Sequence, residues 1–431
     1  MLYNNLSVND AGHLTFAGAD VAELAEEYGT PLYVMDESQI RKNARIYVDA
    51  MKKYFPEGSG PLYAGKALCF KGIYPIVQEE GMRADVVSAG EIYTALAAGF
   101  PSDRLFFHGT NKTDEEIFYA LTQNVGYFIT DNLNELKELD RQAGSLGKKQ
   151  KVLLRVTVGI DSHTMEAINT GKVDSQFGVP IETGQAEEFL KEALACKNLD
   201  IRGLHSHIGS QIFESEPFLR QADILLSFAV SMREKLGWTA EILNLGGGFG
   251  VPYTEKDPEM NIPKMIQEIS EHIHENCAAN DFPVPVILME PGRSIVANAG
   301  ITLYTCGGTK KITGYRNYAT VDGGMTDNPR YALYKCDYTV LNASRMNAPK
   351  DFVCTVAGRC CESGDRIQEE ISIAEPSRGD ILAVLTTGAY NYSMSMNYNR
   401  MPRPALVFVK DGESTLKVRR QTFEDLLECE L

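Results

Sequence analysis

From residue 61 onward, short apolar runs alternate with longer stretches of helical periodicity. The apolar runs, which predict strands, lie at 61–66, 83–88, 104–108, 126–130, 151–158, 201–208, 241–246 and 286–290. The intervening stretches predict helices, among them 68–80, 113–120, 132–143 and 217–236. About eight such strand–helix units over about 250 residues are typical of a (β/α)8 barrel of the TIM type. A doubly wound parallel sheet is the alternative.

The segments on either side of this repeat have a different pattern. A helix before it has Ser38 as its predicted N-cap, and its apolar face is formed by Ile40, Ala44, Tyr47, Met51 and Tyr54. After about residue 300, short β-rich runs follow at 301–305, 318–321, 352–356, 381–385 and 405–409. Residues 410–413, followed by the run 415–418, predict a hairpin.

These patterns predict two domains. The barrel is expected over 36–298, and an all-β domain is expected over 299–431 together with 1–35. Within that N-terminal part, 13–16 and 32–35 are apolar enough to add a strand to the β-domain.

Composition narrows the class of protein. A chain of 431 residues is too long for one ordinary core, which agrees with two domains. The net charge of -16 argues against nucleic acid or an anionic membrane as partner. No apolar run approaches the roughly 20 residues of a membrane span. The start lacks the basic and apolar regions of a secretory leader, and the nine cysteines include no Cys-x-x-Cys pair. We therefore expect reduced thiols and a cytoplasmic location.

Polar residues cluster where the predicted strands end, which is where α/β barrels place their active sites. They are Lys66, Ser88, His108, Arg155, 205–210, 244–250 and 290–293. Lys66 on its own could be a surface lysine, but the convergence of so many polar groups at one mouth favours a functional role. A partly desolvated amine at that place is a nucleophile toward a carbonyl.

A glycine run, Gly246, Gly247 and Gly248, follows one predicted strand. Its backbone N–H groups can approach a phosphate closely. Position 251 is Val, so the run is not a dinucleotide fingerprint.

Two histidines, His205 and His207, would project to the same side of their strand. A metal pair is one interpretation, but no second histidine or carboxylate cluster completes a metal shell in the sequence. We therefore interpret His207 as a ring that stacks on a planar cofactor and Ser210 as a phosphate donor. Glu290 could keep a pyridine nitrogen protonated, and Arg293 could bind a phosphate or carboxylate.

Together these residues resemble the fold-type III pyridoxal phosphate-dependent decarboxylases, and most closely the branch of that family that acts on meso-diaminopimelate. The resemblance covers almost the whole chain. It rests on the segments 85–91, 107–112, 203–211, 244–250, 290–293, 361–365 and 388–390. Two departures are Leu68, where the family usually has asparagine, and Met165, where it has the second histidine of a His-Thr-His stretch.

The resemblance implies pyridoxal 5'-phosphate as cofactor, bound by Lys66 as an aldimine, and no metal. The other residues implied to bind the cofactor are His207, Ser210, Gly246, Gly247, Gly248, Glu290, Gly292, Arg293 and Tyr390. The residues implied to bind the substrate are Arg293, Arg330, Tyr334, Glu362 and Tyr390. Cys361 is implied to reprotonate the substrate carbanion from a loop that reaches the barrel of a second subunit, so the resemblance also implies a homodimer with shared active sites.

The implied reaction is decarboxylation of meso-2,6-diaminopimelate to L-lysine and CO2, the last step of lysine biosynthesis. Glu362 could meet the distal ammonium and Arg330 the distal carboxylate. Decarboxylases of ornithine, arginine or carboxynorspermidine are the alternative, although the ornithine branch resembles Cys-Asp-Gly rather than Cys361-Glu362-Ser363. An alanine racemase would have arginine in place of Glu290. A metal hydrolase would need more ligands, and a non-catalytic pyridoxal phosphate-binding protein would lack the C-terminal domain.

Overall fold

A computed structural model describes residues 3–160 and 173–431, so Met165 lies outside the described residues. The chain divides into two compact units. The first comprises Asn43–Gly250 and Met260–Gly292, and the second comprises Met1–Lys42, Val251–Glu259 and Arg293–Leu431. None of the helices in the described ranges is long and apolar enough to cross a membrane.

The first unit is a closed barrel of eight parallel strands. They are Gly60–Ala64, Arg83–Val86, Leu105–Phe107, Tyr127–Thr130, Gln150–Thr157, Leu199–His205, Ile242–Asn244 and Val286–Met289. The last strand pairs with the first, with Leu288 opposite Gly60, and this pairing closes the sheet. A two-residue strand, Val179–Pro180, adds to Gln150–Thr157 from outside the closed ring. The predicted (β/α)8 barrel is confirmed.

Alternating side chains fill and surround this barrel, because successive strand residues point to opposite faces. One buried cluster takes a residue from six strands: Leu62, Phe106, Ile129, Leu153, Ile242 and Leu288. The helices of this unit are Ile73–Glu79, Ala89–Ala97, Asp114–Thr122, Leu133–Ser145, Gln185–Ala195, Glu216–Leu236 and Ile262–Ala279. Thr113, at the start of the helix Asp114–Thr122, forms a capping box with Glu116.

Two helix predictions need correction. The predicted helix 68–80 begins only at Ile73, because Gly65–Ala67 first forms a 3-10 turn. Ser38 is not an N-cap, because the helix Glu37–Tyr54 already includes it and the Asp36 carboxylate accepts the backbone N–H of Gln39 at 3.0 Å. The predicted apolar face of that helix is buried, except that Tyr54 is only partly covered.

The second unit is built on a mixed sheet. Its strands are Leu32–Asp36, Gly300–Ile312, Arg316–Val321, Val340–Asn342, Phe352–Ala357, Arg366–Ile373, Ile381–Val384, Ala405–Lys410 and Glu413–Val418. A smaller sheet contains Leu6–Val8, Leu14–Phe16 and Ala19–Asp20, and the helices are Val21–Tyr28, Arg293–Val296, Arg330–Tyr334 and Phe423–Leu427. The strands at 340–342 and 366–373 were not predicted.

The N-terminal contribution to this sheet is confirmed. Leu32–Asp36 pairs antiparallel with Gly300–Ile312 and parallel with Ala405–Lys410, so it lies between two C-terminal strands. The predicted hairpin is also confirmed, since Lys410 pairs with Glu413. Asp411 and Gly412, the two turn residues, both have positive φ, as a tight turn between twisted strands requires.

Candidate active site

Lys66 lies two residues beyond the first barrel strand, in the 3-10 turn Gly65–Ala67, and its side chain is exposed. Position 65 has no room for a side chain, because a Cβ there would lie 2.9 Å from the carbonyl oxygen of Asp85. The backbone that carries Lys66 therefore packs directly on the second strand. This contact holds the lysine at the carboxyl end of the barrel, as predicted.

Two acidic groups influence this corner of the barrel. Burial raises the pKa of Asp85, and the nearby His108 and Lys66 oppose the rise. Burial, with a further contribution from Asp85, raises the pKa of Glu91 to about 7. The Glu91 carboxylate also accepts the backbone N–H of Val87 at 2.8 Å. Lys66 therefore lies in the field of two buried acids whose protons are held more tightly than in water.

Glu290, directly after the last barrel strand, is buried and held by three nitrogen atoms. The Asn244 side-chain amide donates to its Oε1 at 2.7 Å, and His108 Nε2 lies 3.0 Å from the same oxygen. His205 Nε2 lies 3.3 Å from Oε2. Burial by itself would raise the pKa of Glu290, but His108 and His205 outweigh it and hold that pKa well below its ordinary value. The site therefore contains a fixed, buried carboxylate.

His205 ends the sixth strand and His207 lies two residues beyond it, and the two rings have different surroundings. Burial lowers the pKa of His205 to about 4, so its ring is neutral and can donate to Glu290. Burial also lowers the pKa of His207, and the charge of Lys66 lowers it further. His207 Nδ1 accepts the backbone N–H of Gly247 at 3.2 Å, which orients the ring toward the glycine run.

The glycine run is required by close backbone contacts. Gly246 and Gly248 have φ values of 68° and 115°, in the region that favours glycine. A Cβ on Gly247 would lie 2.2 Å from the carbonyl oxygen of Glu290, and one on Gly248 would lie 2.5 Å from that of Gly209. Gly246 and Gly247 are buried, and Gly248 and Ser210 are partly buried, so these residues form a cradle of close-packed main chain.

The remaining predicted residues of the barrel mouth have structural partners. Gly292 packs against the first strand, where a Cβ would lie 2.7 Å from the Cβ of Ala64. Ser88 is the N-cap of the helix Ala89–Ala97. Arg155 is 3.7 Å from an oxygen of Asp131 and lies over the ring of Phe177 at 4.4 Å. Ser88 and Arg155 are therefore explained by local structure.

In the second unit, two buried arginines share one tyrosine oxygen. Arg293 Nη1 donates to the Tyr253 hydroxyl at 2.7 Å, and Arg330 Nη1 donates to the same oxygen at 2.5 Å. The Arg293 guanidinium also lies over the ring of Tyr390, 4.8 Å from its centroid. The structure thus brings together three of the predicted residues around Tyr253. Tyr334 ends the short helix that Arg330 begins and is partly exposed.

Cys360 and Cys361 lie in the loop between Phe352–Ala357 and Arg366–Ile373. Neither residue belongs to a strand. Cys360 is buried, whereas Cys361 and Glu362 are exposed. The Cys361 backbone N–H donates to the Asn399 side chain at 2.8 Å.

Among the described residues, His108, His205 and Glu290 form the one group with metal-ligand atoms close together, within 4.8 Å of one another. The sequence did not reveal this group, because its three residues lie far apart along the chain. His207 does not belong to the group, so the pair considered from the sequence is not the pair that meets. His205 Nε2 forms a hydrogen bond with Glu290, and His108 Nε2 lies 3.0 Å from the other oxygen of the same carboxylate.

Comparison with known proteins agrees with this geometry. A family model described as "Pyridoxal-dependent decarboxylase, pyridoxal binding domain" matches residues 38–297. The diaminopimelate decarboxylase of Bacillus subtilis is 43% identical over 432 residues, which cover 100% of this chain and 98% of the relative. The chain belongs to the diaminopimelate decarboxylase family.

Solved structures of that family have the same fold. The diaminopimelate decarboxylase of M. jannaschii, crystallised with L-lysine, is 33% identical with a TM-score of 0.90, over 99% of this chain and 98% of that one. The Helicobacter pylori enzyme, also complexed with L-lysine, is 30% identical with a TM-score of 0.86, over 95% and 99% of the two chains. The protein is a pyridoxal phosphate-dependent carboxy-lyase of this family.

The residues of the barrel fit the family's cofactor. Lys66 offers an exposed amine, the glycine run offers main chain without side chains in the way, and Glu290 offers an ionised carboxylate for a ring nitrogen. Each of these three groups suits a different part of the cofactor. The amine suits its aldehyde, the main chain suits its phosphate, and the carboxylate suits its pyridine nitrogen. The barrel mouth therefore suits pyridoxal phosphate.

The sequence pattern alone did not single out Asp85, Glu91 or Tyr253 as site residues. Asp85 had a usable signal, because a charged residue inside an apolar strand is rarely buried without a role. Glu91 and Tyr253 had none. Tyr253 follows the glycine run by only a few positions, yet its partners Arg293 and Arg330 lie 40 and 77 residues further along the chain.

Proposed function

We propose that the protein decarboxylates meso-2,6-diaminopimelate to L-lysine and CO2 with bound pyridoxal phosphate. The observation that carries this assignment is the buried, ionised Glu290 at the mouth of a barrel whose chain is related to diaminopimelate decarboxylases over its full length. A carboxylate at a pyridine nitrogen favours loss of CO2, whereas an arginine there would favour racemisation. An alanine racemase is therefore disfavoured.

The barrel residues have the following roles in this proposal. Bound pyridoxal phosphate supplies an electron sink for the electron pair that CO2 leaves behind. Lys66 would hold the cofactor covalently through its amine, and His207 would lie against the ring. The main chain of the glycine run binds the phosphate with Ser210, Gly292, Arg293 and Tyr390. Glu290 holds the proton of the ring nitrogen in place, with Asn244, His108 and His205 fixing its orientation.

Substrate choice depends on the second unit. We assign the distal carboxylate of the substrate to Arg330, which is only 2% exposed and therefore gains from an anionic partner. Glu362 meets the distal ammonium, and Arg293, Tyr334 and Tyr390 complete the substrate contacts. Ornithine lacks the distal carboxylate, so it would leave Arg330 without this partner. The two groups together favour a diamino dicarboxylate.

Cys361 returns a proton to the α-carbon after CO2 has left. Its side chain lies on an exposed loop, and we propose that this loop completes the barrel site of a second subunit, so that the working protein is a homodimer. We further propose that it acts in the cytoplasm. None of the nine cysteines, all of which lie in the described ranges, forms a disulfide bond, which suits a reducing compartment.

The test is to add single amino acids to the purified holoenzyme and to measure CO2 release. We expect meso-diaminopimelate to be turned over far faster than ornithine, arginine or lysine; preferred turnover of one of those would overturn the substrate assignment. Cys361→Ala should bind substrate but turn over slowly, and its matched control is Cys360→Ala at the buried neighbour. A wild-type rate in Cys361→Ala would remove its role as proton donor.

A further inference from the structure

A cavity of about 650 Å³ opens at the amino-terminal end of the barrel, opposite the mouth that carries Lys66 and Glu290. Its lining comes from the beginnings of the strands: Arg83, Tyr127 and Val286 line it, and each is the first residue of a strand. All of its lining residues belong to the first unit. None of them has a role in the active site, so the function proposed above does not explain this cavity.

The floor of the cavity is apolar. Phe106, Ile242 and Leu288 line it and also belong to the buried cluster that fills the inside of the barrel. Tyr127 stacks on Phe106, with the ring centroids 4.4 Å apart and the planes 3° apart. Because this packed layer separates the two ends of the barrel, a molecule in the cavity does not reach the cofactor site. An apolar floor also strengthens the field of charges placed around it.

Four basic side chains line the cavity. Arg83 begins the second strand and Arg104 directly precedes the third, whereas Lys151 and Arg202 lie on the fifth and sixth strands. The same lining contains only two carboxylates. In a chain with a net charge of -16, this excess of cations reverses the sign of the charge locally. Such a reversal indicates an anionic ligand.

Three of the four cations keep an uncompensated charge. Arg202 Nη2 forms an ion pair with a carboxylate oxygen of Glu241 at 2.8 Å. Within the described ranges, Arg83, Arg104 and Lys151 form no ion pair with a carboxylate. Burial lowers the pKa of Arg83, and the nearby charge of Arg104 adds to this effect. An anion between these two guanidinium groups would therefore relieve their repulsion.

Main-chain carbonyls hold the two arginines in place without neutralising them. Arg83 Nη2 donates to the carbonyl of Gly58 at 2.8 Å. Arg104 Nη2 donates to the carbonyls of Gly81 and Met82, both at 2.8 Å. These contacts use one nitrogen of each guanidinium. The other two nitrogens of each donate no hydrogen bond to any residue that the structure describes, so binding of carbonyls does not account for them.

The placement of the four cations favours a ligand with several phosphate groups. Arg83 and Arg104 belong to neighbouring strands, which lie about 4.8 Å apart, so both can reach one ligand group. A carboxylate has two oxygens, which a single guanidinium satisfies, whereas a terminal phosphate has three and can bind two arginines. Lys151 and Arg202 lie three strands further round the ring of eight, so a second charged group is needed to reach them.

We propose that this cavity binds a chain of two or more phosphate groups, either free or attached to a nucleoside. Arg83 and Arg104 together hold one terminal phosphate, and Lys151 and Arg202 hold the other end of the chain. The proposal does not depend on the decarboxylase activity, because the cavity and the barrel mouth share no residue.

Calorimetric titration of the holoenzyme with tripolyphosphate, in a buffer free of phosphate and magnesium, tests the proposal. We expect one site per chain and weaker binding at higher salt. Arg83→Gln and Arg104→Gln should each weaken binding at least about 10-fold, because each removes charged hydrogen bonds. Lys151 is exposed, so Lys151→Gln leaves the packing intact and should cost about 3-fold, as expected for one screened charge. The visible absorption of the bound cofactor should not change during any titration.

Arg233→Gln is the matched control. Arg233 also belongs to the barrel unit and donates to two main-chain carbonyls, that of Asp281 at 2.7 Å and that of Asn280 at 3.1 Å. It does not line the cavity. This variant should therefore bind tripolyphosphate as tightly as the wild type does. An equal loss of affinity in Arg233→Gln would overturn the proposal, because the loss would then come from the fold and not from the cavity.

Three other results would also overturn it. The first is no binding of tripolyphosphate to the wild type, and the second is wild-type affinity in Arg83→Gln, Arg104→Gln and Lys151→Gln, which would place the anion elsewhere. The third is equal affinity for citrate, whose charges are all carboxylates. Titration with ATP separates the two sources of the ligand. Tighter binding of ATP than of tripolyphosphate supports a nucleotide in this cavity, and the reverse supports a free polyphosphate.

Discussion

Replacing His205 with glutamine tests whether the barrel mouth is built around a neutral histidine. His205 is 1% exposed and lies 3.3 Å from the Glu290 carboxylate. Its pKa is lowered from 6.5 to about 4, because burial penalises the charged ring more than Glu290 favours it. Glutamine has an N–H at nearly the position of Nε2, so His205→Gln keeps a donor toward Glu290 but cannot take up a proton.

The sign and size of the effect follow from linkage. A base whose folded pKa lies below its unfolded pKa binds its proton mainly in the unfolded state, so its contribution to stability is complete above pH 6.5 and is lost as pH falls toward 4. With pKa values of 6.5 and about 4, His205 should remove about 1 kcal/mol of stability between pH 8 and pH 5.5. In His205→Gln that part of the loss should disappear.

The only tryptophan provides the assay. Trp238 lies in the barrel unit, and its indole N–H donates to the carbonyl of Ile201, in the same strand as His205, at 3.0 Å. Its fluorescence during urea unfolding of the cofactor-free enzyme therefore reports on this part of the barrel. At pH 8 neither side chain is charged. The difference in free energy of unfolding between the wild type and His205→Gln at that pH therefore measures packing alone. If both lose the same free energy of unfolding between pH 8 and pH 5.5, His205 is not held neutral and the reasoning fails.

Three other changes test the site. Lys66→Ala should lose the visible absorption of covalently bound cofactor and the mass increase after borohydride reduction; retention of either would remove Lys66 as the anchor. Gly247→Ala should weaken cofactor affinity by at least about 10-fold, because its methyl group would lie 2.2 Å from the Glu290 carbonyl oxygen. Titration of the cofactor-free enzyme with pyridoxal phosphate measures this affinity, and an unchanged value would contradict a role of the glycine run in cofactor binding. Tyr253→Phe removes the oxygen that Arg330 and a second arginine share. The KM for meso-diaminopimelate should therefore rise by about 10-fold, as expected for loss of a charged hydrogen bond. An unchanged KM would show that the two arginines need no common acceptor.

The eight barrel strands could be predicted to within a few residues because strands buried on both faces are nearly continuous apolar runs. Lys66 and Glu290 could be predicted for a related reason, since each ends such a run and parallel strands bring their carboxyl ends to one mouth. Helix starts were less accurate. Asp36 replaced Ser38 as the cap, and Gly65–Ala67 formed a 3-10 turn, because local contacts of a few residues decide such boundaries.

The sequence by itself determined the architecture and the chemical inventory of this protein: a parallel barrel, a β-domain that includes an N-terminal strand, and a lysine, a glycine run and a glutamate at strand ends. Hydrophobic periodicity and strand polarity are local properties, so they can be read along the chain. Only the tertiary structure decided which groups meet. That His108 and His205 both face Glu290, that Tyr253 joins Arg293 to Arg330, and that four basic residues line one cavity depend on contacts between distant residues, and no periodicity in the chain encodes them.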